Sequence, residues 1–195
     1  FARDYHITAE LAAQRDGTLT ALRIKTLADH GYTGAAGNPS KFPAGLFHIC
    51  TASYDFRAAH VEVDGVYTNK PPGGIAYRCS FRVTEAMYFQ ERMVQAAADD
   101  LGMDQAEFRR GNFVRDDDFP HRTPFGFLTD SGQYGKCLDV GLEAVGYQDF
   151  LRQKEEAKAQ GRLLGIGIST MTEPLGAGNS REYDILGIKM FDSAE

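Results

Sequence analysis

The feature that most constrains the fold is a change of hydrophobic period at "PPGG", residues 71–74. Before this point, "YHITAEL" and "LRIKT" alternate apolar and polar residues, which is typical of strands that bury one face. After it, "VTEAMYFQERMVQAAADDLG" repeats apolar residues every three or four positions, which is typical of an amphipathic helix. Residues 163–191 return to a strand pattern. This order of strands, helices and strands predicts an α+β fold.

Local signals predict where the first strands turn. Asp16-Gly17 predicts a hairpin between strand patterns at residues 4–11 and 18–30. "HVEVDGVYTN" predicts a second strand-turn-strand unit around Asp64-Gly65. Residues 31–45 are too rich in glycine and proline for regular structure.

The second half of the chain predicts helices and then two strands. A helix over residues 83–101 should end at Gly102, and a short helix should begin at Asp104 with Glu107 three residues on. Residues 116–135 predict a loop whose three aspartates lie on the surface. Residues 136–161 predict one or two helices, and "LLGIGISTMTEPLGAGNSREYDILGIKMF" predicts two strands joined by a glycine-rich loop.

The ends of the chain suggest that it is an internal piece of a larger protein. It begins at Phe1 and stops within or just after a strand pattern, and an unpaired strand exposes backbone groups. We therefore expect an incomplete fold with one unit at residues 1–161 and the start of another at 162–195. The turn from a charged helix to a strand near residue 161 places this boundary.

Charge and cysteine content exclude several classes of function. The net charge of −6 gives no electrostatic support to a nucleic-acid or anionic-membrane partner. Cys50, Cys79 and Cys137 are odd in number and lack CxxC spacing, so they form neither a disulfide framework nor a zinc ribbon. Reduced thiols are expected.

Cys79 is the residue with the most specific chemistry. It lies in "AYRCSFR", between Arg78 and Arg82 and just before a predicted helix. These positive charges lower the pKa of a thiol, and a thiolate suits a soft metal such as Cu(I). The residues alone leave two further interpretations open, a nucleophile, for which no histidine base is evident, and a small buried hydrophobic side chain.

The stretch "AYRCSFR" resembles the signature loop of the aerobic, molybdenum-containing carbon monoxide dehydrogenases, in the large subunit of form I. Form II proteins and xanthine dehydrogenases have a glycine-rich loop there, with the arginine and without the cysteine. Further similar stretches occur in the same order along the chain: "FARDYHITAELAA", "LADHGY", "PSKFPAG", "ICTASYD", "VDGVYTNK", "LGMDQAEFRRGNF", "DSGQYGK" and "DILGIKMFDSAE". "EFRRGNF" and "DSGQYGK" are shared more widely among molybdenum hydroxylases.

The resemblance implies roles for three residues. Cys79 would be the ligand of a copper(I) ion that a sulfide joins to molybdenum. Arg78 would flank this cluster, and Phe81 would form part of the apolar wall of the substrate pocket. The family's glutamate base lies further toward the C-terminus than this chain reaches, and neither Glu173 nor Glu195 matches it.

The resemblance also implies a reaction, cofactors and partners. CO and water would yield CO2, with a molybdenum-molybdopterin cytosine dinucleotide as cofactor. Two electrons would pass to 2Fe-2S clusters on a small subunit and then to FAD on a medium subunit, in a dimer of heterotrimers. The enzyme would be cytoplasmic or associated with the inner face of the cell membrane, and this piece alone would be inactive. Residues 1–161 would belong to the first molybdopterin-binding domain and residues 162–195 to the second.

Two other functions remain open at this point. The chain could belong to a molybdenum hydroxylase that acts on an aldehyde or an N-heterocycle, in which Cys79 binds no copper. It could also be a free-standing binding or assembly module, in which case its 195 residues should fold alone.

Overall fold

A computed structural model of the chain describes residues 4–32, 50–51, 53–70 and 83–172. These residues form five strands and four α-helices, so the predicted α+β class and the order of strands before helices are confirmed. The elements are β1 Tyr5–Ala13, β2 Leu19–Gly31, β3 Ala58–Tyr67, α1 Val83–Leu101, α2 Gln105–Asn112, β4 His121–Arg122, β5 Leu128–Thr129, α3 Tyr134–Ala144 and α4 Tyr147–Ala159.

The main sheet has the order β1-β2-β3, with β2 in the centre. β1 and β2 are antiparallel, with Tyr5 opposite Ala28. The predicted hairpin turn is confirmed: Gly17 has φ +90° and the Asp16 carboxylate accepts a hydrogen bond from the Thr18 N–H at 3.0 Å. A positive φ favours glycine, because it lacks the Cβ that strains other residues.

The predicted turn at Asp64-Gly65 is wrong. β3 is a single strand that runs parallel to β2, with Asp64 opposite Leu27 and Gly65 opposite Ala28. The ladder with β2 supplies hydrogen bonds to this backbone, so tertiary pairing overrides the local turn preference of an Asp-Gly pair.

The hydrophobic core lies between the sheet and α1. Leu22 and Ile24 of β2 are buried, and α1 packs against the sheet through Ala86, Phe89 and Val94, all of which belong to the same core. The helical period seen in the sequence therefore corresponds to the face that α1 buries.

The end of α1 at Gly102 and the start of α2 at Asp104 are both confirmed by the structure. α1 ends at Leu101, and Gly102 has φ +66°. The Asp104 carboxylate caps α2 by accepting from the N–H groups of Ala106 and Glu107 at 2.8 and 3.0 Å. Its other oxygen accepts from the Tyr147 hydroxyl at 2.8 Å, and burial, together with this carboxylate, raises the pKa of Tyr147 to about 12. Asp104 therefore joins α4 to the start of α2.

The region predicted as a loop contains short regular elements. Asp116–Asp118 form an exposed 3-10 turn, in agreement with the predicted surface turn, and β4 and β5 form a two-residue hairpin. The predicted helical region after it contains two helices, α3 and α4. They are separated at Gly146, which has φ +62°.

Residues 162–172 follow α4 and form no strand within the described residues, although the sequence predicts one. Their burial nevertheless alternates, because even-numbered residues from 164 to 172 are half-buried and odd-numbered ones are exposed. We call residues 166–172 the extended segment. The glycine-rich loop and the second predicted strand lie outside the described residues. Within the described chain, no helix has both the length and the apolar character needed to span a membrane.

Candidate functional site

The three predicted site residues, Arg78, Cys79 and Phe81, lie outside the described residues, so their roles stay predictions. The structure instead describes the scaffold that follows them. α1 begins at Val83, one residue after the signature loop (residues 76–82) ends. α1 is therefore the described element that directly follows the loop in the sequence.

The N-terminal half of α1 is anchored in the core. Ala86, Met87 and Phe89 are buried apolar residues of this half. Two polar residues, Gln90 and Glu91, are buried with them. A buried carboxylate requires hydrogen bonds and a partner of opposite charge, and Glu91 has both.

Glu91 forms a buried ion pair with Arg109 of α2. Arg109 Nε donates to Glu91 Oε2 at 3.0 Å, and the two side chains are 0% and 7% exposed. Arg109 also donates to the carbonyl of Gln105 at 3.0 Å and to the carbonyl of Ile168 at 2.8 Å. The guanidinium thus connects α1, α2 and the extended segment.

The second oxygen of Glu91 binds two hydroxyl groups. Tyr54 donates to Oε1 at 2.8 Å and Thr170 donates to the same atom at 2.9 Å. We call Tyr54, Glu91, Arg109 and Thr170 the buried polar cluster. Beside it, the hydroxyls of Ser53 and Thr172 are 2.6 Å apart. Four elements distant in sequence therefore meet at one carboxylate.

The cluster is suited to fixing geometry rather than to proton transfer. Burial, and secondly the Glu91 carboxylate, raise the pKa of Tyr54 well above its usual value. Tyr54 therefore stays protonated and acts as a donor near neutral pH. A general acid or base requires a pKa near the working pH, and Tyr54 lacks one.

A second buried polar residue fixes α2 against the first hairpin. The Asn112 side chain accepts from the Leu19 N–H at 2.8 Å and donates to the carbonyls of Gly17 and Phe108, both at 2.8 Å. Sequence reasoning assigned no role to Arg109 or Asn112. The available signal was their spacing in "EFRRGNF": Asn112 lies four residues after Phe108 and three after Arg109, so it shares a helix face with each of them.

The two described cysteines have different environments. Cys50 is buried, and burial raises the pKa of its thiol, which disfavours the thiolate that binds metals. Cys137 is exposed on α3. Neither forms a disulfide, and the described residues contain no group of three or more His, Cys, Asp or Glu side chains that could hold a metal ion.

A groove of about 370 Å³ runs between α3 and the extended segment. Leu138, Leu142, Ile166 and Ile168 supply much of its apolar lining, with Ser53 at one side, and no charged residue is among the described residues that line it. The groove is therefore an apolar surface next to the buried polar cluster.

Comparison with known proteins identifies the family. The family model described as "Molybdopterin cofactor-binding domain" matches residues 1–113. The chain is 54% identical to the carbon monoxide dehydrogenase large chain of Hydrogenophaga pseudoflava and 51% identical to that of Afipia carboxidovorans, in each case over 100% of this chain and 25% of the relative. The chain thus spans about a quarter of the length of these relatives, and the predicted resemblance is confirmed.

Solved structures agree with this result. A crystal structure of the Cu,Mo-CO dehydrogenase in the carbon monoxide reduced state matches with a TM-score of 0.86 and 49% identity, over 97% of this chain and 25% of that chain. Quinoline 2-oxidoreductase from Pseudomonas putida 86 matches with a TM-score of 0.80 and 26% identity, over 97% of this chain and 24% of that chain. Since the family model covers more than half of its residues, this chain belongs to the molybdopterin cofactor-binding domain family.

Proposed function

We propose that this chain is part of the large subunit of an aerobic carbon monoxide dehydrogenase that contains molybdenum and copper and oxidises CO with water to CO2. The observation that carries the proposal is the 54% identity to a carbon monoxide dehydrogenase large chain over the whole of this chain. The motif "AYRCSFR" of this chain, which contains Cys79, supports it. The catalytic base and most contacts to the pterin lie outside this chain, so the piece alone is expected to be inactive.

The chemistry of Cys79 fits a copper(I) ion. The residue precedes a 19-residue helix by four positions, and the helix N-terminus together with Arg78 favours the thiolate. The described cysteines are less suitable, because burial raises the pKa of Cys50, and Cys137 is exposed and belongs to no described group of metal-binding side chains. We therefore assign copper binding to Cys79.

The neighbours of Cys79 have supporting roles in this proposal. Arg78 places a positive charge beside the cluster, and Phe81 supplies an apolar wall that excludes water and suits a small, nearly apolar substrate. When bound, copper and the molybdenum cofactor supply a soft site for CO and the transfer of oxygen and two electrons. The protein contributes binding, orientation and exclusion of water.

The proposal includes the partners of a complete enzyme. The cofactor is molybdenum-molybdopterin cytosine dinucleotide, divided between a first domain up to residue 161 and a second from residue 162. Electrons pass to 2Fe-2S clusters on a small subunit and to FAD on a medium subunit, within a dimer of heterotrimers. We place the enzyme in the cytoplasm or at the inner face of the cell membrane.

The alternative is a molybdenum hydroxylase acting on an aldehyde or an N-heterocycle. It is favoured by the similarity to quinoline 2-oxidoreductase and by 30% identity to the nicotine 6-hydroxylase large subunit of Paenarthrobacter nicotinovorans. The much higher identity to carbon monoxide dehydrogenase large chains favours CO as the substrate.

The test is metal analysis and CO oxidation with the full-length protein and its partner subunits. Cys79→Ser should lose copper and reduce CO oxidation by about 100-fold or more, since loss of a metal ligand exceeds the effect of an outer residue. Cys137→Ser, at an exposed position, is the matched control and should keep both. A Cys79→Ser variant that keeps copper and full CO oxidation would show that the assignment is wrong.

A further inference from the structure

We propose that the Glu91–Arg109 pair sets the register of the extended segment along α1, which makes both residues positioning residues for the reaction. This inference rests on the proposed function, because it concerns the distance between the signature loop and the second molybdopterin-binding domain. The pair contacts neither substrate nor cofactor in this proposal. It acts through the two backbone elements that it joins.

The first argument is that the pair holds the extended segment at two points. Arg109 binds the carbonyl of Ile168 at 2.8 Å, and Glu91 binds the hydroxyl of Thr170 at 2.9 Å. The first contact is to a backbone carbonyl, at the edge of the extended chain, and the second is to a side chain, on one of its faces, so together they fix both the edge and the face that the segment presents. Gln105 Nε2 adds a contact to the carbonyl of Ile166 at 3.2 Å.

The second argument is that no neighbouring register satisfies the same contacts. A shift by one residue would turn Thr170 away and present Ser169 or Met171, which lie on the exposed side, to Glu91. A shift by two residues would place Ile168 or Thr172 opposite Glu91. A shift by two residues in either direction also breaks the contact between the hydroxyls of Ser53 and Thr172, which are 2.6 Å apart. A shift that presents Met171 or Ile168 leaves the buried carboxylate with a missing donor, which is costly. A shift that presents Ser169 or Thr172 keeps a hydroxyl opposite Glu91 but separates Thr172 from Ser53.

The third argument is that a buried ion pair is better suited to specifying alignment than to adding stability. Apolar side chains of similar volume often stabilise a protein as well as a buried pair does, and fixing register is the best-attested use of such pairs. Arg109 is fully buried and Glu91 nearly so, although both adjoin apolar core residues. The chain therefore retains charge where apolar packing alone would be permitted.

The position of Glu91 connects this alignment to the proposed site. Glu91 is the ninth residue of α1, about 12 Å along the helix axis from Val83 at 1.5 Å per residue. The signature loop (residues 76–82) ends immediately before Val83 in the sequence. At its other end, the extended segment is followed after Thr172 by residues 173–195. Through α1 on one side and the segment on the other, the pair fixes how the copper ligand and the following domain are spaced.

The register can be measured without any metal. The hydroxyls of Ser53 and Thr172 are 2.6 Å apart, so the double variant Ser53→Cys/Thr172→Cys places two thiols within reach of a disulfide. In full-length protein treated with oxidised glutathione, peptide mass mapping should find this 53–172 linkage. Adding Glu91→Gln should reduce its yield several-fold. Glu62→Gln is the control, because it removes a carboxylate from the exposed pair with Lys25.

The effect on the reaction is measured with the full-length enzyme and its partners, without the added cysteines. In Glu91→Gln, kcat per bound copper should fall about ten-fold or more, since displacements of about 1 Å can cost more than that. KM for CO should stay within about two-fold, as expected when an interaction is lost only in the transition state. X-ray absorption should show a changed or more widely spread copper–molybdenum distance. Thr170→Ser should behave as wild type and Thr170→Val like Glu91→Gln.

The outcomes separate the two proposals. An unchanged 53–172 yield in Glu91→Gln overturns the register assignment. If copper content and CO oxidation fall by the same factor in Glu91→Gln, so that kcat per bound copper is unchanged, the positioning role is overturned. A wild-type enzyme without copper overturns the proposed function, and the disulfide yield then still decides the register assignment.

Discussion

Arg109 Nε lies 3.0 Å from Glu91 Oε2, and neither side chain is more than 7% exposed. The pair joins α1 to α2, and its remaining hydrogen-bonding groups bind Tyr54, Thr170 and the carbonyl of Ile168. Removing either charge leaves the other buried without an opposite charge beside it. Stability and alignment should therefore respond differently to single and double substitutions.

The first prediction concerns the stability of this pair. Arg109→Met or Glu91→Leu alone should each cost about 3–5 kcal/mol, because each leaves an uncompensated buried charge. The double variant should cost less than either single variant. The hydroxyls of Tyr54 and Thr170, which are 3.2 Å apart, can bond to each other in it. Differential scanning calorimetry of the full-length protein measures the effect.

The same double variant separates stability from positioning. If the pair sets the register, the double variant should recover thermal stability without recovering kcat. If the double variant instead loses as much stability as the two single variants added together, the two charges do not depend on each other.

The second prediction concerns Asn112. Asn112→Ala leaves the Leu19 N–H and the Gly17 carbonyl without their partner, so it should destabilise the protein by about 1–3 kcal/mol. Asn112→Asp keeps the acceptor and loses the donors, and it should be at least as destabilising. Asn69→Ala, at an exposed position, is the control in thermal unfolding measurements. Equal effects of Asn69→Ala and Asn112→Ala would contradict the prediction.

The regular elements of the fold could be predicted where one face of a segment is buried. The helical period of α1, the turn at Gly17 and the end at Gly102 are local properties that neighbouring residues determine. The turn predicted at Asp64-Gly65 was wrong, because pairing with β2 depends on a strand about 37 residues earlier in the sequence. Local preferences cannot report such a partner.

In the candidate site, too, the part that is local in sequence could be predicted and the part formed by residues distant in sequence could not. The signature loop was predicted from its motif alone, since Arg78, Cys79 and Phe81 lie within four residues of sequence, and their roles stay predictions. The buried polar cluster was not found, because its members are far apart: Arg109 and Thr170 lie 18 and 79 residues from Glu91. On a helix pattern, a buried arginine has the same appearance as a solvated one.

The third prediction compares two glycines with positive φ. At Gly17 an added Cβ would lie 2.6 Å from the Met103 sulfur, whereas at Gly102 it would meet no atom within 4 Å. Gly102→Ala should therefore show backbone strain alone, about 1 kcal/mol, and Gly17→Ala should cost more. Thermal unfolding of the two variants checks this order. Met103→Ala removes the clashing atoms but also loses packing in the core, so the double variant is compared with Met103→Ala alone. In that background Gly17→Ala should cost less than in wild type, and an equal cost would contradict a steric part.

The fourth prediction concerns thiol reactivity. Iodoacetamide should modify the exposed Cys137 quickly and Cys50 slowly, because burial limits access and raises the pKa of the Cys50 thiol. Under the proposed function, Cys79 should react only after a Cu(I) chelator removes the metal. Mass spectrometry of peptides from the full-length enzyme measures all three rates. Rapid modification of Cys79 before chelation would contradict copper binding there.

The fifth prediction concerns the acid sensitivity of Asp29 on β2. Its Oδ1 accepts from the Gly31 N–H at 2.7 Å and from the Thr68 hydroxyl at 2.8 Å, and Lys70 Nζ lies 3.3 Å from Oδ2. The Gly31 hydrogen bond, followed by those from Thr68 and Lys70, lowers the pKa of Asp29 below its ordinary value of 3.8. A lowered pKa in the folded state means that ionised Asp29 stabilises the protein.

The sign of this effect determines the pH window. The stabilisation is complete above the unfolded-state pKa near 3.8 and is lost as the pH falls through the lower folded-state pKa. Asp29→Asn should therefore lower the thermal unfolding temperature at pH 6, and its difference from wild type should shrink below about pH 4. Asp64→Asn, an exposed position on β3, is the control. A difference for Asp29→Asn that stays constant from pH 6 to the acid limit would show that hydrogen bonding without ionisation accounts for its effect.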